Sequence, residues 1–427
     1  MLSLLKKVFL DGSRLTITLA SMLSLSLPVS ARDLSSTNLK IKQLNYPEIP
    51  AEIINGTVKA PATVAVDPMT SQDWALSNIG FFEVFTPLVQ PIKPGFKTCS
   101  KEVVVAVVDT GIDYTHPDLK DNIWTNKGET GPWKPVAGVA DNGCRDKSCN
   151  GIDDDNNGFV DDVAGWDFVN DIPLPFDTHG HGTHIAGIIA AAAANGVGIS
   201  GVCPQVTIMP LKYYDASGAG FNNLSNTVKA FRYAARMGAQ IINYSGGGAE
   251  PAIQERSAVE ESRRKGILFI AAAGNDGHSN DASPYYPASY PLDNIVSVAS
   301  ITREDKLLPS SNFGKVVQVA APGLSILSTM PRGGYGTMSG TSQATAFVTG
   351  AEALLASQFP DKADFDYRLV KTWLQQGTRA LPGDAGKSKV AFGIVSVPGS
   401  LKQAQGWKKE LPAVALDKGK SLKPVVR

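Results

Sequence analysis

Three short segments of the sequence hold residue types that together could perform nucleophilic chemistry. VVDTGIDYTHPDL (107–119) follows an apolar run and contains Asp109, a carboxylate that needs a partner if it comes at the end of a buried strand. HGHGTHIAGIIAAAAA places His181 near the start of an Ala-rich helix, and MSGTSQATAFVTGAEALL places Ser342 after a Gly-Thr pair. Separately these signals are weak, but together they describe a nucleophile, a base and an orienting acid.

Each of these residues also has a structural alternative. A serine at the start of a helix is more often an ordinary N-cap, and a single histidine is more often structural. Two observations favour chemistry. Backbone N–H groups at a helix start would stabilise an oxyanion that develops near Ser342. The chain has only five histidines, and four of them lie in the first two segments: His116, His179, His181 and His184.

The elements that must position these residues are predicted from hydrophobic periodicity. From about residue 100, apolar runs alternate with amphipathic stretches, which predicts βαβ units around a buried parallel sheet. Strands are predicted at 103–108, 206–211, 239–245, 267–273 and 294–300, and helices at 222–238, 252–266, around 343–357 and 365–376. The expected fold is α/β, a three-layer αβα sandwich with a mainly parallel central sheet. Such sheets hold their chemistry at the carboxyl ends of the strands.

The motifs DTGID, HGTHIAG, AAAGN and SGTSQAT, in the order Asp, His, Asn, Ser, resemble the subtilisin-like serine protease family (subtilases, peptidase family S8) from about residue 67 to 399. This order is that of subtilisin itself, so the assignment rests on recognising the family. The resemblance implies that Asp109 orients the base, that His181 is the general base and later acid, and that Ser342 is the nucleophile. Asn275 matches the side-chain donor of the oxyanion hole.

The activity implied by the resemblance is that of a serine endopeptidase. It would hydrolyse protein or peptide substrates through an acyl-enzyme, with broad specificity and without an organic cofactor. The family usually has a proline where this chain has Ala346. That proline shapes the first turn of a helix and carries no chemistry.

Two glycine- and alanine-rich segments match the backbone rims between which the family holds a substrate strand. Glycine and alanine permit the close backbone approach that β-augmentation needs. The rim residues are Ser245, Gly246 and Gly247, followed by Ala272, Ala273 and Gly274. Tyr285 is expected to line the base of the primary pocket. Because neither rim contains an acidic residue, we expect apolar or mixed specificity.

Calcium is the expected cofactor, and the resemblance implies one site for it. Asp118 in HPDL and Asn195 in AANGVGISGV match the family's strong-site positions, and the remaining ligands would be the carbonyls of Ala193, Val197 and Ile199.

A second calcium site is predicted from the acidic loop NGIDDDNNGFVDD. Asp153, Asp155 and Asn157 occupy alternate positions, as hard oxygen ligands for calcium often do. The loop lacks the glutamate that closes an EF-hand, and Asp161 and Asp162 are the candidates to replace it. The alternative for each site is an acidic surface loop without a metal.

The cysteines and charges indicate the compartment and exclude some partners. Four cysteines fit an oxidising compartment and allow three pairings. Cys144 and Cys149 lie close together in a polar loop and could close on each other, which would leave Cys99 and Cys203 as a second pair; free buried thiols are the alternative. With 40 basic and 40 acidic residues, the chain is not expected to bind nucleic acid or anionic lipid.

The two ends of the chain are expected to differ from its centre. Basic residues, the apolar stretch LTITLASMLSLSLPV and Val-Ser-Ala predict a signal peptide at 1–31, although a buried helix or an uncleaved anchor would also be apolar. We therefore expect a secreted monomer, extracellular or periplasmic, without stable membrane insertion after cleavage. Residues 32–66 are interpreted as a short pro-segment or an N-terminal arm, 67–400 as the peptidase domain and 401–427 as a solvated basic tail.

Two other functions compete with proteolysis. A scaffold of the same fold could bind partners without turnover, but every catalytic position holds a competent residue. A lipase-like hydrolase would carry G-x-S-x-G and the order Ser, Asp, His, and the sequence has neither.

Overall fold

The predicted apolar runs form one central sheet in the computed structural model, which describes residues 40, 42, 44–55, 67–86, 90–91, 97–135, 142–215, 223–384 and 388–410. Its strands are β3 (Val104–Asp109), β4 (Trp166–Asp167), β5 (Thr207–Lys212), β6 (Ile241–Tyr244), β7 (Leu268–Ala272), β8 (Ile295–Ile301), β9 (Val319–Pro322) and β12 (Gly393–Ile394). They follow the order β12-β9-β8-β7-β6-β3-β5-β4, and all neighbours are parallel. Two antiparallel pairs lie outside this sheet: β1 (Phe85–Thr86) with β2 (Gln90–Pro91), and β10 (Ile326–Met330) with β11 (Gly334–Met338).

Helices cover both faces of the sheet. They are α1 (Ala51–Asn55), α2 (Trp74–Asn78), α3 (Phe81–Val84), α4 (His181–Ala190), α5 (Asn223–Arg236), α6 (Ile253–Arg264), α7 (Thr341–Ala356), α8 (Tyr367–Gln376) and α9 (Val397–Glu410). Along β3, Val105 and Val107 join the core that contains α4 and α7, whereas Val104, Ala106 and Val108 join the core that contains α5 and α6. Because successive residues of a strand face opposite sides, a fully apolar strand packs on both layers. The predicted three-layer α/β fold is confirmed.

Packed residues extend beyond both boundaries predicted for the central domain (67–400). Residues 401–410 belong to helix α9, and Leu401 and Ala404 are buried in the core, so the prediction of a solvated tail from residue 401 is wrong for this part. The apolar spacing of these two residues within one helical turn is the physical reason. Residues 411–427 lie outside the described part of the chain.

The N-terminal side also contributes to the core. Ile53 is buried, and the hydroxyl of Tyr114 donates to the carbonyl of Pro47 at 2.6 Å. Tyr46 packs against Phe176 with 5.6 Å between ring centroids. Residues 44–55 therefore lie against the domain. The predicted signal peptide at 1–31 lies outside the described residues, among which no helix is long and apolar enough to cross a membrane.

Two disulfide bonds form, Cys99–Cys203 and Cys144–Cys149. These are the predicted pairs, and they leave no free cysteine in the chain. The first ties the segment before β3 to the segment before β5, and the second closes a short loop that leads into the acidic segment.

Candidate active site

Asp109 and His181 lie next to each other at the carboxyl edge of the sheet. Asp109 is the last residue of β3 and is 3% exposed, while His181 is the first residue of α4. Nδ1 of His181 lies 2.7 Å from Oδ1 of Asp109, and because a carboxylate only accepts, the ring nitrogen donates. The same Oδ1 accepts from the backbone N–H of Thr110 at 2.8 Å. These contacts orient the ring and leave Nε2 for another partner.

A second buried carboxylate, Asp177, joins the strand end to the helix start. Its Oδ1 accepts from the hydroxyl of Thr110 at 2.9 Å and from the N–H of Gly180 at 2.8 Å. Its Oδ2 accepts from the N–H and the hydroxyl of Thr183 at 2.9 and 2.6 Å. Asp177 thus ties together the two elements that carry Asp109 and His181.

Sequence reasoning missed Asp177. The signal that could have found it is an aspartate just before a helix start, where side-chain oxygens accept from free N–H groups.

The electrostatics around His181 keep its ring protonated over a wider pH range than usual. Burial lowers the pKa of His181, the Asp109 carboxylate raises it by its charge and hydrogen bond, and the charge of Asp177 raises it further. The net pKa lies above its ordinary value. The neighbouring His184 differs, since burial lowers its pKa to about 4 and its Nε2 contacts the carbonyl of Ile326 at 2.9 Å. His184 is therefore a structural residue.

Ser342 lies in the first turn of α7, which packs against α4. The N-cap of α7 is Gly340, so Ser342 is not the ordinary N-cap that was its structural alternative. Its hydroxyl donates to the carbonyl of Ser245 at 3.1 Å, and the hydroxyl of Ser245 donates back to the carbonyl of Ser342 at 3.2 Å. These two hydrogen bonds tie the first turn of α7 to the segment that follows β6.

Asn275 faces the same helix start from the segment after β7. Its Oδ1 accepts from the N–H and the hydroxyl of Thr341 at 2.9 and 3.1 Å. Because the amide oxygen is occupied, the N–H groups of this exposed side chain remain to donate to a ligand beside Ser342.

The two predicted rim segments differ in exposure to solvent. Gly246 and Gly247 are partly or fully exposed. Ala273 is buried, its N–H donates to the carbonyl of Val298 at 2.9 Å, and its carbonyl accepts from Asn280 at 2.8 Å. Both backbone groups of Ala273 are therefore paired within the domain, and the role of its segment as a rim for a substrate strand stays a prediction. Ala272 and Gly274 are also buried.

A cluster of three acidic side chains lies away from these residues and forms a candidate metal site. Ligand oxygens of Glu129, Asp155 and Asp162 lie within 4.8 Å of one another. One oxygen of Glu129 accepts from the N–H of Asp155 at 3.1 Å, whereas Oε2 is buried without a hydrogen-bond partner among the described residues. Burial, reinforced by the neighbouring carboxylates, raises the pKa of Glu129 to about 8 and that of Asp162 to about 7. A divalent cation would satisfy the unpaired oxygen and neutralise the like charges.

This cluster brings together only part of the predicted loop site. Asp155 and Asp162 belong to it, but the oxygens of Asp153 accept from the N–H groups of Asn157 and Gly158 at 2.9 and 2.7 Å and cap a turn. The Asn157 side chain points its amide nitrogen, not its oxygen, at Asp155 and Asp162.

Two further acids differ from the predicted loop site. Asp161 accepts from the N–H of Gly151 instead of joining the cluster. Glu129 was missed because it lies 26 residues before Asp155, outside any local motif.

The other predicted calcium position is hydrogen-bonded as it stands. Asp118 accepts from the side-chain amide of Asn195 at 2.8 Å, from the N–H of Ile199 at 3.1 Å and from the hydroxyl of Tyr335 at 2.8 Å. The buried Asp67 binds the same loop, accepting from the N–H groups of residues 194, 195 and 196. The structure therefore places Asp118 against the 193–199 loop, with Asp67 as a second carboxylate that sequence reasoning missed. The carbonyls of Ala193, Val197 and Ile199 stay predicted calcium ligands of this loop.

Comparison with known proteins gives consistent matches. The sequence profile of the Subtilase family matches residues 100–394. The chain is 37% identical to Thermophilic serine proteinase of Bacillus sp. (strain AK1) over 254 residues, which cover 60% of this chain and 52% of that protein. It is 34% identical to Subtilisin-like protease 1 of Plasmodium berghei (strain Anka) over 319 residues, which cover 70% and 49%. With Major intracellular serine protease of Bacillus subtilis (strain 168), identity is 32% over 299 residues, which cover 69% and 81%.

The matched region spans about half the length of the first two relatives and most of the third. It includes β3, α4 and α7, the elements that hold Asp109, His181 and Ser342, and the segment after β7 that contains Asn275. The chain belongs to the subtilase family.

Proposed function

We propose that this protein is a serine endopeptidase that cleaves peptide bonds through an acyl-enzyme. The observation that carries the proposal is the 2.7 Å contact between His181 Nδ1 and Asp109 Oδ1 at the start of α4, a helix that packs against α7, which holds Ser342. A histidine oriented in this way can remove the proton of a serine hydroxyl. A second observation supports the proposal: β3 ends at Asp109, and Asn275, which follows β7, accepts from Thr341 beside Ser342, so both groups lie toward the carboxyl ends of parallel strands.

The proposed reaction uses the residues in two balanced steps. Ser342 Oγ bonds to the substrate carbonyl carbon while its proton passes to His181 Nε2, and the N–H groups of Asn275 stabilise the resulting oxyanion. His181 then returns the proton to the leaving amine as the peptide bond breaks. Water then attacks the acyl carbon while His181 takes its proton, and His181 gives this proton to Ser342 Oγ as the ester bond breaks and the carboxylic acid product leaves.

A peptide-against-ester assay tests the proposed activity. We expect the purified protein to cleave an internally quenched peptide and a denatured protein at internal bonds, and to lose both activities in Ser342→Ala. Ser388→Ala, which changes a serine hydrogen-bonded to Asp384, is the matched control. Hydrolysis of esters without hydrolysis of peptides would contradict the proposal.

The cofactor we propose is calcium, held first of all by Glu129, Asp155 and Asp162. The unpaired Oε2 of Glu129 supports this choice, because a buried carboxylate oxygen without a donor is costly unless a cation or a proton joins it. Calcium would supply positive charge to oxygen ligands and take no part in the reaction. The site at Asp118 and Asn195 remains a prediction, since there the amide would have to turn its oxygen toward the ion.

We also propose secretion of a monomer, with protein or peptide substrates as its partners. Two disulfide bonds support an oxidising compartment. One relative is named an intracellular protease, so family membership alone does not decide the compartment. Expression of the full chain, with mass spectrometry of the N-terminus in medium and in cells, tests cleavage after Ala31. Recovery of the chain only inside cells with residue 1 attached would contradict secretion.

Residues 44–55 are proposed to act as an arm that stays on the domain rather than as a segment that is removed. The side chain of Ile53 is 3% exposed, and its carbonyl accepts from the hydroxyl of Thr125 at 2.6 Å. Ile53→Ala should destabilise the protein by about 2–5 kcal/mol, the usual effect of emptying a buried site. Glu52→Ala, at an exposed neighbour, is the control, and equal melting temperatures for the two variants would contradict the arm.

Broad specificity is proposed for substrate positions outside the primary pocket. Exposed glycines such as Gly247 can hydrogen-bond to the backbone of a substrate, and such bonds do not discriminate between substrate side chains.

A further inference from the structure

The two segments that flank Ser342 define where a substrate side chain must go. Ser342 Oγ lies 3.1 Å from the carbonyl of Ser245, at the start of the segment 245–247. Asn275, at the end of the segment 273–275, lies 2.9 Å from the N–H of Thr341. A carbonyl that is attacked by Ser342 and stabilised by Asn275 lies between the two segments. The side chain on the acyl side of the cleaved bond therefore points into the gap between them.

The ring of Tyr285 occupies this gap. A methyl group added at Gly247 would lie 2.5 Å from Cε1 of Tyr285, and one added at Gly274 would lie 3.0 Å from Cγ of the same ring. The ring therefore extends from the second segment to the first, with its Cγ end near Gly274 and its outer edge near Gly247. Among the nearest described neighbours of the two glycines, Tyr285 is the side chain that both share.

Hydrogen bonds on both sides of Tyr285 fix the backbone from which its ring projects. The N–H of Tyr286 donates to the carbonyl of Gly248 at 2.8 Å, and the N–H of Gly248 donates to the carbonyl of Tyr286 at 2.9 Å. The N–H of Tyr285 donates to the hydroxyl of Ser289 at 3.2 Å.

Tyr286 and Tyr290 anchor the turn that contains Tyr285. The rings of Tyr286 and Tyr290 pack 4.7 Å apart, and the hydroxyl of Tyr290 donates to the buried Glu255 at 3.1 Å. The half-buried Tyr285 ring can therefore leave the gap only by a change of its side-chain rotamer or with the loss of these contacts.

We infer that Tyr285 limits the residue on the acyl side of the cleaved bond to small side chains, such as those of glycine, alanine and serine. This inference rests on the proposed peptidase function and narrows its substrate class. It narrows the expectation of apolar or mixed specificity. The phenol ring takes the volume that a leucine or phenylalanine side chain would otherwise fill, and overpacking a closed site is costly.

A peptide series tests the inference with wild-type protein alone. Quenched peptides that differ only in the acyl-side residue, which is Gly, Ala, Leu or Phe, are compared by kcat/KM. We expect the Ala peptide to exceed the Phe peptide by about tenfold or more, since even one methylene changes discrimination by about 10- to 200-fold. Equal values for Ala and Phe would overturn the inference while leaving the peptidase function in place.

Two variants separate the ring from its hydroxyl group. Tyr285→Ala should raise kcat/KM for the Phe peptide about tenfold or more relative to the Ala peptide. Tyr285→Phe keeps the ring and should keep the preference for Ala. An unchanged preference in Tyr285→Ala, with normal labelling of Ser342 by a fluorophosphonate, would overturn the inference. Absence of both labelling and cleavage in the wild-type protein would instead contradict the proposed function.

Discussion

Two groups of carboxylates in this protein, at the active site and in the acidic cluster, differ in how completely their oxygens are hydrogen-bonded. At the active site, Asp109 and Asp177 accept hydrogen bonds from backbone N–H groups, hydroxyls and His181. In the acidic cluster, Glu129 and Asp162 lie beside other carboxylates, and an oxygen of Glu129 has no hydrogen-bond partner among the described residues. The first group is organised before any ligand binds, whereas the second needs a proton or a cation.

This difference has a physical meaning for each region. Preorganised donors and acceptors avoid reorganisation when charge develops during a reaction. Repulsion between neighbouring carboxylates destabilises the folded state and raises their pKa values. A bound cation removes this repulsion and so raises the free energy of unfolding. Changes in the first region should therefore alter turnover, and changes in the second should alter calcium-dependent stability.

The largest effect is expected from Asn275→Ala. Loss of the amide donor should lower kcat by about 100- to 1000-fold, which is the magnitude known for loss of this donor in subtilisin itself. Steady-state kinetics on one good peptide would measure it, and calcium-dependent melting should not change. A variant with full kcat would mean that Asn275 does not face the oxyanion.

A smaller effect is expected from Asp177→Asn. Asparagine would place an NH₂ group against donors of Gly180 or Thr183, and we expect kcat/KM to fall about 10- to 100-fold through misplacement of His181. Because the charge of Asp177 raises the pKa of His181, its removal should move the acid limb of the pH–rate profile to lower pH.

Asp167→Asn is the matched control for that shift. Asp167 is also a buried carboxylate that accepts from backbone N–H groups, those of residues 169 and 170, but it is not among the groups that perturb His181. Its loss should destabilise the fold without moving the acid limb. An unmoved limb in Asp177→Asn would show that Asp177 acts only on folding.

The smallest effect is expected from Glu129→Gln and appears only in stability. Saturating calcium should raise the melting temperature of the wild-type protein by about 5 °C, the value that corresponds to a ligand at 100 times its Kd. Glu129→Gln should lose most of that increase and keep kcat. Glu304→Gln, at an exposed glutamate, should behave like the wild type. An equal calcium response in Glu129→Gln would exclude the acidic cluster as the site.

The elements of the sheet and the helix starts were predictable from the sequence because their signals are local. The apolar run before Asp109 indicates a buried strand, and the Gly-rich segments before His181 and Ser342 indicate helix starts. The prediction that Asp109, His181 and Ser342 act together came from the resemblance to a family. The two disulfide pairs followed from spacing and were confirmed.

The contacts that were not predictable depend on residues far apart in the chain. Glu129 reaches the acidic loop from outside it, and Asp67 reaches the loop of Asn195 across 128 positions. Whether Tyr285 lines a pocket or fills it depends on the distance between the segments after β6 and β7. The hydrophobic pattern of the sequence predicts strands and helices but not such a distance. The helix at 397–410 was missed because its lysines obscured the buried pair Leu401 and Ala404.

Covalent labelling with a fluorophosphonate, read by mass spectrometry, tests the central claim that Ser342 is an activated nucleophile. We predict a single label on Ser342 in the folded, calcium-loaded protein, and no label in Ser342→Ala or after denaturation. A folded protein that stays unlabelled, or that is labelled at another serine, would contradict the account.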